Sequence, residues 1–533
     1  MATGAPRLTF HGAAGCVTGS CHRLETAAGT VLLDCGLFQG SKTEKELNYR
    51  PFPFAAGEID AVILSHAHID HSGLLPKLVR EGYAGPIFAT GATFELCSVM
   101  LPDSAHIQEI EVEQLNRRNR RRSRRETVEP IYSGEDAQAT LALFRPHAYG
   151  DWFQVLPGLR ARFWNAGHLL GSASVELEIA DPAIRLLFSG DIGPDYKLLH
   201  PDPEAPSGID YLICESTYGD TDREDATPAH RRAQLRAEVK AATNPNGALL
   251  IPSFAVERAQ ELISDLCQLM AEGALPQIPV YLDSPLAAAA TRVFARHARE
   301  LEGGETLLQG LAAGNLQMTE TVEQSKALDR VRGFHIVIAA SGMCEAGRIR
   351  HRLKNWLWRD EATVLLVGYQ ATGTLGRILQ DGAPSVRIQG EEFSVRARIR
   401  SIDLYSGHAD GPELASWIGE RLPLTHDLFL VHGEPEAIEG LVVRLSGLVE
   451  ADHVLRPDLD QTFELTREGA VRLAGLLPPR LPREEVAHLD WHNDVSRLLL
   501  DISDQLSAEP DEKSRNVAIR RLRRALSGDK VAE

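Results

Sequence analysis

The chain has 533 residues, 43% of them hydrophobic, and a formal net charge of −18 at pH 7. Its length predicts roughly two or three domains, and the lack of a membrane-length apolar run or an apolar leader predicts a soluble, cytoplasmic protein without a membrane partner. Seven widely spaced cysteines without a C-x-x-C pair argue against a disulfide framework and a structural zinc finger.

The first predicted strands include two short apolar runs, and ligand-type side chains follow both. Residues 31–33 precede Asp34, which can orient a ligand or cap a turn. Residues 61–64 precede a cluster of three histidines and one aspartate, namely His66, His68, Asp70 and His71. The first two histidines point the same way while the backbone is extended, and the last two side chains can face a second centre. Imidazole and carboxylate together favour Zn²⁺ or a similar borderline metal, so the cluster predicts a metal site.

Two basic clusters interrupt this acidic chain. The segment 117–125 holds seven arginines in nine residues, and the second cluster comprises Arg348, Arg350, Arg352 and Lys354. Such patches can bind a polyanion despite the net negative charge, because the local potential decides binding. The alternative for the first segment is a solvated, partly disordered loop.

Three further candidate ligands, His168, Asp191 and His432, lie beside glycine next to short apolar runs. Glycine lets the backbone turn sharply and approach a site closely. Taken alone, each of these residues is more often a solvated loop residue. The prediction of a shared site therefore depends on the set.

Candidate site residues lie at 34–191 and again at 408–432, so the chain between them must form an insertion that leaves and returns at neighbouring points. Four apolar runs in this part predict strands: Ala248–Ile251, Val280–Leu282, His335–Ala339 and Val364–Val367. Their alternation with helical stretches favours a parallel sheet. Glycine-rich turns after the third and fourth runs are suited to phosphate groups, although such glycines can also simply make turns.

The cluster at 66–71, with Asp34, His168 and Asp191, resembles the motif set of the metallo-β-lactamase fold. Three further segments resemble motifs of the β-CASP nucleases, the family of RNase J and of the mRNA 3′-end cleavage and polyadenylation nuclease: Glu215–Gly219, Ser406–Asp410 and Val431–Glu434. The resemblance implies an α/β protein, a four-layer αββα sandwich with an inserted parallel-sheet β-CASP domain. The implied divisions are 1–212 and 399–478 for the lactamase domain, 213–398 for the insertion and 479–533 for a helical extension.

The resemblance also implies roles for individual residues. One Zn²⁺ would be bound by His66, His68 and His168, and the other by Asp70, His71 and His432, with Asp191 bridging them and Asp34 orienting an imidazole. Mn²⁺ is the alternative metal. His408 would be the general acid, held by Glu215, and Asp34 and Asp70 would support catalysis; the alternative for His408 and Glu215 is a polar loop pair. The implied substrate-binding residues are Ser341, Gly342, Met343, Arg348, Thr374 and Arg377.

The sequence thus predicts a zinc-dependent RNA phosphodiesterase of RNA processing or decay, acting on single-stranded RNA as an endonuclease, a 5′-exonuclease or both. A metal-bound hydroxide would attack the phosphate and leave a 5′-phosphate. One alternative is a hydrolase of a small ester, thioester or lactone, which would need no inserted domain. The other is a non-catalytic RNA-processing scaffold, which would be expected to lack ligands.

The segment after residue 478 lies beyond the resemblance. An apolar helical stripe runs from Val495 to Leu506, and a second, arginine-rich helix is predicted around Ile519. This tail can dock on the body, form a homodimer or contact RNA. We favour docking or association because an apolar stripe needs burial.

Overall fold

The computed structural model describes residues 4–121, 127–195, 197–223, 227–370, 373–474, 480–481, 514–515 and 517–521. The strands before the insertion are β1 (Arg7–Phe10), β2 (His22–Thr26), β3 (Gly29–Leu33), β4 (Ala61–Ile63), β5 (Ile87–Thr90), β6 (Phe144–His147), β7 (Trp152–Leu156), β8 (Leu159–Asn165), β9 (Ala173–Ala180), β10 (Ala183–Phe188) and β11 (Tyr211–Glu215). The later strands are β12 (Ala248–Pro252), β13 (Val280–Leu282), β14 (Leu316–Met318), β15 (His335–Ala339), β16 (Thr363–Leu366), β17 (Ser385–Ile388), β18 (Glu391–Ser394), β19 (Arg398–Ser401), β20 (Leu428–Val431), β21 (Val454–Leu455), β22 (Gln461–Thr466) and β23 (Gly469–Leu473).

The α-helices connect these strands. They are α1 (Lys42–Leu47), α2 (Ile69–Ser72), α3 (Leu75–Arg80), α4 (Gly91–Arg121), α5 (Gly134–Leu141), α6 (Pro228–Ala242), α7 (Arg258–Ala271), α8 (Pro285–Arg296), α9 (Gly304–Ala312), α10 (Val322–Ala327), α11 (Ile349–Trp356), α12 (Leu375–Gln380), α13 (Gly411–Gly419) and α14 (Pro435–Arg444). Within the described residues, no helix combines the length and apolarity that crossing a bilayer requires.

Two large sheets pack face to face. One has the order β23-β22-β1-β2-β3-β4-β5-β6, and the other has the order β21-β20-β11-β10-β9-β8-β7. Successive side chains of a strand point to opposite faces, so alternate residues of each strand enter the shared core. Val31, Leu33 and Ile63 of the first sheet join Leu186 and Phe188 of the second in one buried cluster.

Helices cover the outer faces of both sheets. Leu32 and Val62 are buried in one cluster with residues of α3 and α4. Leu212 and Leu430 are buried in another with residues of α13 and α14. The strands are apolar on both faces because both faces are covered, and the predicted four-layer αββα arrangement is confirmed.

The third sheet has the order β14-β13-β15-β12-β16-β19, and all of its neighbours are parallel. The predicted inserted parallel sheet is thereby confirmed, since the four apolar runs are β12, β13, β15 and β16. The edge strands β14 and β19 were not predicted, because β14 has only three residues and β19 is largely polar. Helices lie on both faces of this sheet, α7 and α8 on one and α11 and α12 on the other.

The chain leaves the second sheet after β11 and returns beside it. Strand β20 pairs with β11 in parallel, with Leu428 opposite Leu212, and β22 pairs with β1. The insertion therefore leaves and returns at neighbouring strands, as predicted. The exact divisions at 212, 398 and 478 stay predictions.

Two of the predicted segments lie partly outside the described residues. Residues 117–121, four of them arginines, form the end of α4 rather than a loop, whereas 122–125 are not described. The stripe from Val495 to Leu506 lies outside the described residues, and of the second predicted helix only 514–515 and 517–521 are described.

Candidate metal centre

The candidate ligands converge because they follow strands whose carboxyl ends meet at one edge of the sandwich. In the first sheet β3 and β4 are parallel neighbours, followed by Asp34 and the cluster at 66–71. In the second sheet β10, β11 and β20 are parallel neighbours, followed by Asp191, Glu215 at the end of β11, and His432. Side chains outside the carboxyl ends of parallel strands lie close together, which explains why distant parts of the sequence meet here.

One group of donor atoms comprises His66, His68, His168 and Asp191, whose ligand atoms lie within 4.8 Å of one another. The Nδ1 atom of His68 is 3.2 Å from His66 Nε2 and 3.1 Å from His168 Nε2. Asp191 Oδ2 is 3.5 Å from His66 Nε2 and 3.6 Å from His168 Nε2. This group matches the first predicted metal site.

The second group comprises Asp70, His71 and His432. The Nε2 atoms of His71 and His432 are 3.1 Å apart, and Asp70 Oδ2 is 3.6 Å from His432 Nε2. Asp191 turns its other oxygen, Oδ1, to this group, at 3.2 Å from His71 Nε2 and 3.7 Å from His432 Nε2. One carboxylate therefore offers one oxygen to each group, which is the geometry of a bridging ligand.

Two of these imidazoles have their orientation set by oxygens that can only accept. Asp34 Oδ2 is 2.7 Å from His71 Nδ1, and the carbonyl oxygen of Gly407 is 2.6 Å from His168 Nδ1. A carboxylate or carbonyl oxygen accepts hydrogen bonds and cannot donate them, so each Nδ1 must carry the proton. The proton on Nδ1 leaves the Nε2 lone pair directed into the centre.

Hydroxyl groups hold two more imidazoles in the same way. Ser65 Oγ donates to Asp34 Oδ2 at 3.0 Å and lies 3.1 Å from His66 Nδ1. Thr217 Oγ1 donates to the carbonyl oxygen of His432 at 3.0 Å and lies 3.0 Å from the Nδ1 atom of the same residue. Because each hydroxyl proton is already used, each oxygen accepts from Nδ1–H, and Nε2 again faces inward.

Burial sets the charge of the first group. It lowers the pKa of His66 and His168 well below the usual value, and neighbouring histidines add to the effect. It also lowers the pKa of His68 to about 4. Three neutral imidazoles, each a lone-pair donor, are therefore present at neutral pH, which suits a metal site.

For the carboxylate of Asp191, neighbouring charges outweigh burial in setting the pKa. Burial opposes ionisation of Asp191, but the surrounding histidines outweigh it and hold its pKa well below the usual range. Similarly, burial lowers the pKa of His71, yet Asp191 and Asp34 raise it overall. Oδ1 of Asp191 is buried and accepts no hydrogen bond of normal geometry from the described residues. An ionised carboxylate that faces several imidazole nitrogens fits divalent cations, and binding of a cation would displace the extra proton from His71.

A second pair of groups, His408 and Glu215, stands beside the metal donors. His408 Nδ1 is 3.1 Å from Glu215 Oε1, which also accepts from the backbone N–H of Ile192 at 2.6 Å. The other nitrogen, Nε2, lies 3.9 Å from Asp191 Oδ2. Because the carboxylate accepts from Nδ1–H, Nε2 is the atom available to exchange a proton at the centre.

The loops predicted to contact substrate are brought together, but no hydrogen bond joins them directly to the donors in the described residues. The N–H of Gly376 donates to the carbonyl of Met343 at 3.1 Å, which links the turn at 341–343 to the start of α12. Thr374 caps that helix, and Arg377 pairs with Asp381 at 2.8 Å on the surface. Their substrate contacts stay predictions.

In the second basic cluster, three of the four side chains that could bind a polyanion pair with carboxylates, namely Arg348, Arg352 and Lys354. Arg352 is buried, with its side chain 1% exposed, and pairs with Asp283 at 2.9 Å and Asp329 at 2.5 Å. Arg348 also pairs with Asp283, at 3.0 Å, and donates to the backbone of Thr319. Arg352 is therefore not available to a polyanion, because the carboxylate that follows β13 neutralises it.

Several site residues were missed by the sequence reasoning. Ser65 directly precedes His66, and Thr217 lies two residues after Glu215, so the position of each hydroxyl near a predicted residue was the available signal. Arg223, whose Nη1 donates to the carbonyl of His408 at 3.1 Å, follows no motif. The carbonyl of Gly407 carries no side-chain signal at all.

Comparison with known proteins accounts for this arrangement. Family models match three consecutive parts of the chain: the metallo-beta-lactamase superfamily at 14–253, the Beta-Casp domain at 259–379, and the Zn-dependent metallo-hydrolase RNA specificity domain at 392–454. Together with the donor groups, these matches assign a metal cofactor to the chain.

Three curated relatives agree with the family models. Ribonuclease TTHA0252 of Thermus thermophilus is 40% identical over 443 residues, which cover 82% of this chain and 95% of the relative. Transcription termination factor FttA of Methanothermobacter thermautotrophicus is 32% identical, with 80% and 67% covered. An RNase J-like protein of Methanocaldococcus jannaschii is 29% identical, with 80% and 92% covered. The resemblance inferred from the motifs is confirmed, and the chain belongs to the β-CASP family of the metallo-β-lactamase superfamily.

Proposed function

We propose that this chain is a metal-dependent ribonuclease that holds two Zn²⁺ ions and cleaves single-stranded RNA. The observation that supports it most directly is the shared carboxylate of Asp191, which faces one donor group with each oxygen. Two adjacent divalent cations suit displacement at phosphorus, because they activate water and stabilise the charge on the phosphoryl oxygens.

The side chains have separate tasks in this reaction. Asp70 and His408 are the more open members of the site, with side chains 21% and 19% exposed, whereas His66, His71 and Asp191 are at most 2% exposed. The phosphodiester therefore approaches from the side of Asp70 and His408. His408 gives the proton on Nε2 to the departing 3′ oxygen, and Glu215 stabilises the imidazolium through Nδ1–H. The products are a 5′-phosphate and a 3′-hydroxyl.

The metal itself also belongs to the proposal. Imidazole and carboxylate donors accept Zn²⁺ and Mn²⁺ alike, and availability decides between them. Elemental analysis of the purified protein should give two zinc atoms per chain. A homodimer and a cytoplasmic location stay predictions; light scattering measures the former.

Two alternatives are less favoured by the geometry. A small-molecule hydrolase does not require the parallel sheet inserted beside the site, and a non-catalytic scaffold does not require all seven donors. Here each predicted metal ligand is present, and its donor atom belongs to one of the two groups.

The test compares the wild type with the double variant Asp70→Ala, His71→Ala on 5′-labelled RNA, duplex DNA, circular RNA and a chromogenic lactam. The wild type should release 5′-phosphorylated RNA products, and the variant should show no cleavage above background while keeping its circular dichroism spectrum. Glu113→Ala, at an exposed position of α4, is the matched control and should cleave like the wild type. Full activity of the double variant, or hydrolysis of the lactam alone, would contradict the proposal, and cleavage of circular RNA would identify endonuclease action.

A further inference from the structure

Aromatic rings extend from the acid–base pair towards the solvent. The ring of Tyr218 is centred 6.0 Å from that of His408. Tyr369 meets Tyr218 edge to face, with ring centres 6.4 Å apart, and is 46% exposed. A third ring, Phe254, is 41% exposed. Large aromatic residues more often lie mainly buried, so two half-exposed rings on this side of the molecule need an explanation.

The fold places Phe254 and Tyr369 at one edge of the inserted sheet, and Tyr218 at the end of the second sheet contacts Tyr369. Phe254, Tyr369 and Tyr218 follow the carboxyl ends of β12, β16 and β11, where ligands of open α/β sheets collect. The guanidinium of Arg258 lies 4.8 Å from the ring centre of Phe254 and donates to the carbonyl of Tyr405 at 2.8 Å.

Two glycines allow the backbone to approach the ring of Phe254 and the guanidinium of Arg258 closely. A Cβ at position 342 would lie 2.9 Å from the ring of Phe254, and one at position 368 would lie 3.0 Å from the guanidinium of Arg258. Gly368 directly precedes Tyr369 and has φ 135°, a conformation that favours glycine. The two exposed rings are therefore tied to the same arginine, Phe254 by direct contact and Tyr369 through its backbone neighbour.

We propose that Tyr369 and Phe254 form a stacking platform for the nucleobases that flank the scissile phosphodiester. This inference rests on the proposed ribonuclease function and names the part of the RNA that the site recognises. Every base has a π face, so stacking on aromatic side chains contributes affinity without strong sequence preference. Bases paired and stacked in a duplex do not offer that face, so the platform selects unstacked, single-stranded RNA.

The test uses abasic substrates. After the cleaved bond is mapped in a labelled single-stranded RNA, one ribose on either side of it is made abasic. In the wild type, one flanking abasic position should lower kcat/KM roughly 5- to 100-fold, the range expected for the loss of one stacked base. Tyr369→Ala should cause a loss of similar size on normal RNA, and the abasic position should then add little, because both changes remove one contact.

Controls separate a platform from simple packing. Tyr369→Phe keeps the ring and should retain activity, and Phe254→Leu should weaken cleavage of normal RNA. Trp358→Ala removes another exposed ring of the inserted domain, 49% exposed, and should change nothing. Losses that multiply, or unchanged cleavage by Tyr369→Ala, would overturn the platform while leaving the ribonuclease function intact. Failure of the wild type to cleave any RNA would overturn both the platform and the ribonuclease function. The abasic comparison uses only the wild-type protein, so its result does not depend on whether a variant folds.

Discussion

The metal centre and the loop face of the inserted sheet are built on the same plan but use their charges differently. Both lie where parallel strands end. At the metal centre, the described residues that contact the Asp191 carboxylate are histidines, with no lysine or arginine among them, so its charge remains available to metals. In the inserted sheet, Asp283 is enclosed by Arg348 and Arg352, so these charges neutralise one another. The position of a residue at a strand end thus predicts where its side chain lies, but its partners decide whether it is free to bind.

The largest effect in the comparison is expected at the metal centre, from His408→Ala. Loss of a general acid should lower kcat by roughly 10²- to 10⁴-fold. The zinc content should not change, because Nδ1 of His408 is engaged by Glu215 and the metal donors belong to other residues. Single-turnover cleavage and elemental analysis measure the two quantities. Loss of zinc in this variant would instead make His408 a ligand and remove the distinction drawn here.

The next largest effect is expected in the inserted sheet, where Arg352→Met should lower the free energy of unfolding. Arg352→Met leaves Asp283 and Asp329 without their buried partner, and breaking a buried pair costs about 3–5 kcal/mol. Arg350→Ala is the matched control, since Arg350 donates only to the carbonyl of Glu345 in the described contacts and should change the free energy of unfolding by less than about 0.5 kcal/mol. Urea unfolding measures both. If Arg352→Met kept its stability but lost RNA affinity, the arginine would belong to the substrate surface after all.

The smallest effect is expected from Asp34→Asn. Both carboxylate oxygens of Asp34 accept hydrogen bonds, one from the N–H of Ser65 and the other from the Ser65 hydroxyl and His71 Nδ1. In asparagine one of these oxygens becomes an NH₂ group, which cannot accept, so at least one of these hydrogen bonds is lost. Asparagine tolerates the φ of 62° at this position, which keeps the backbone intact. Zinc affinity should fall roughly 10- to 100-fold, the usual cost of losing a group that orients a metal ligand. Chelator competition measures it, and an unchanged affinity would show that Asp34 only caps the turn.

The features that could be predicted from the sequence are those that depend on a few neighbouring residues. The cluster at 66–71 could be predicted from the residues alone because three histidines and an aspartate directly follow one apolar strand. The other candidate ligands, His168, Asp191 and His432, give a weaker local signal, a single histidine or aspartate beside glycine, and only the family resemblance joined them to that cluster. The central strands of the inserted sheet could be predicted for the same reason, since burial on both faces requires continuous apolar runs. The edge strands β14 and β19 could not, because an edge strand buries less and its composition resembles that of a loop.

The sequence by itself predicted the type of metal donor, the apolar strands that the donors follow and the family of the chain. Tertiary structure alone decided the contacts between distant residues: the carbonyl of Gly407 that fixes the proton on His168, the hydroxyl of Thr217 that does the same for His432, and the carboxylate of Asp283 that neutralises Arg352. The physical reason is that backbone propensity and hydrophobic pattern act over neighbouring residues, whereas hydrogen bonds and ion pairs depend on which separate segments the folded core brings within about 3 Å.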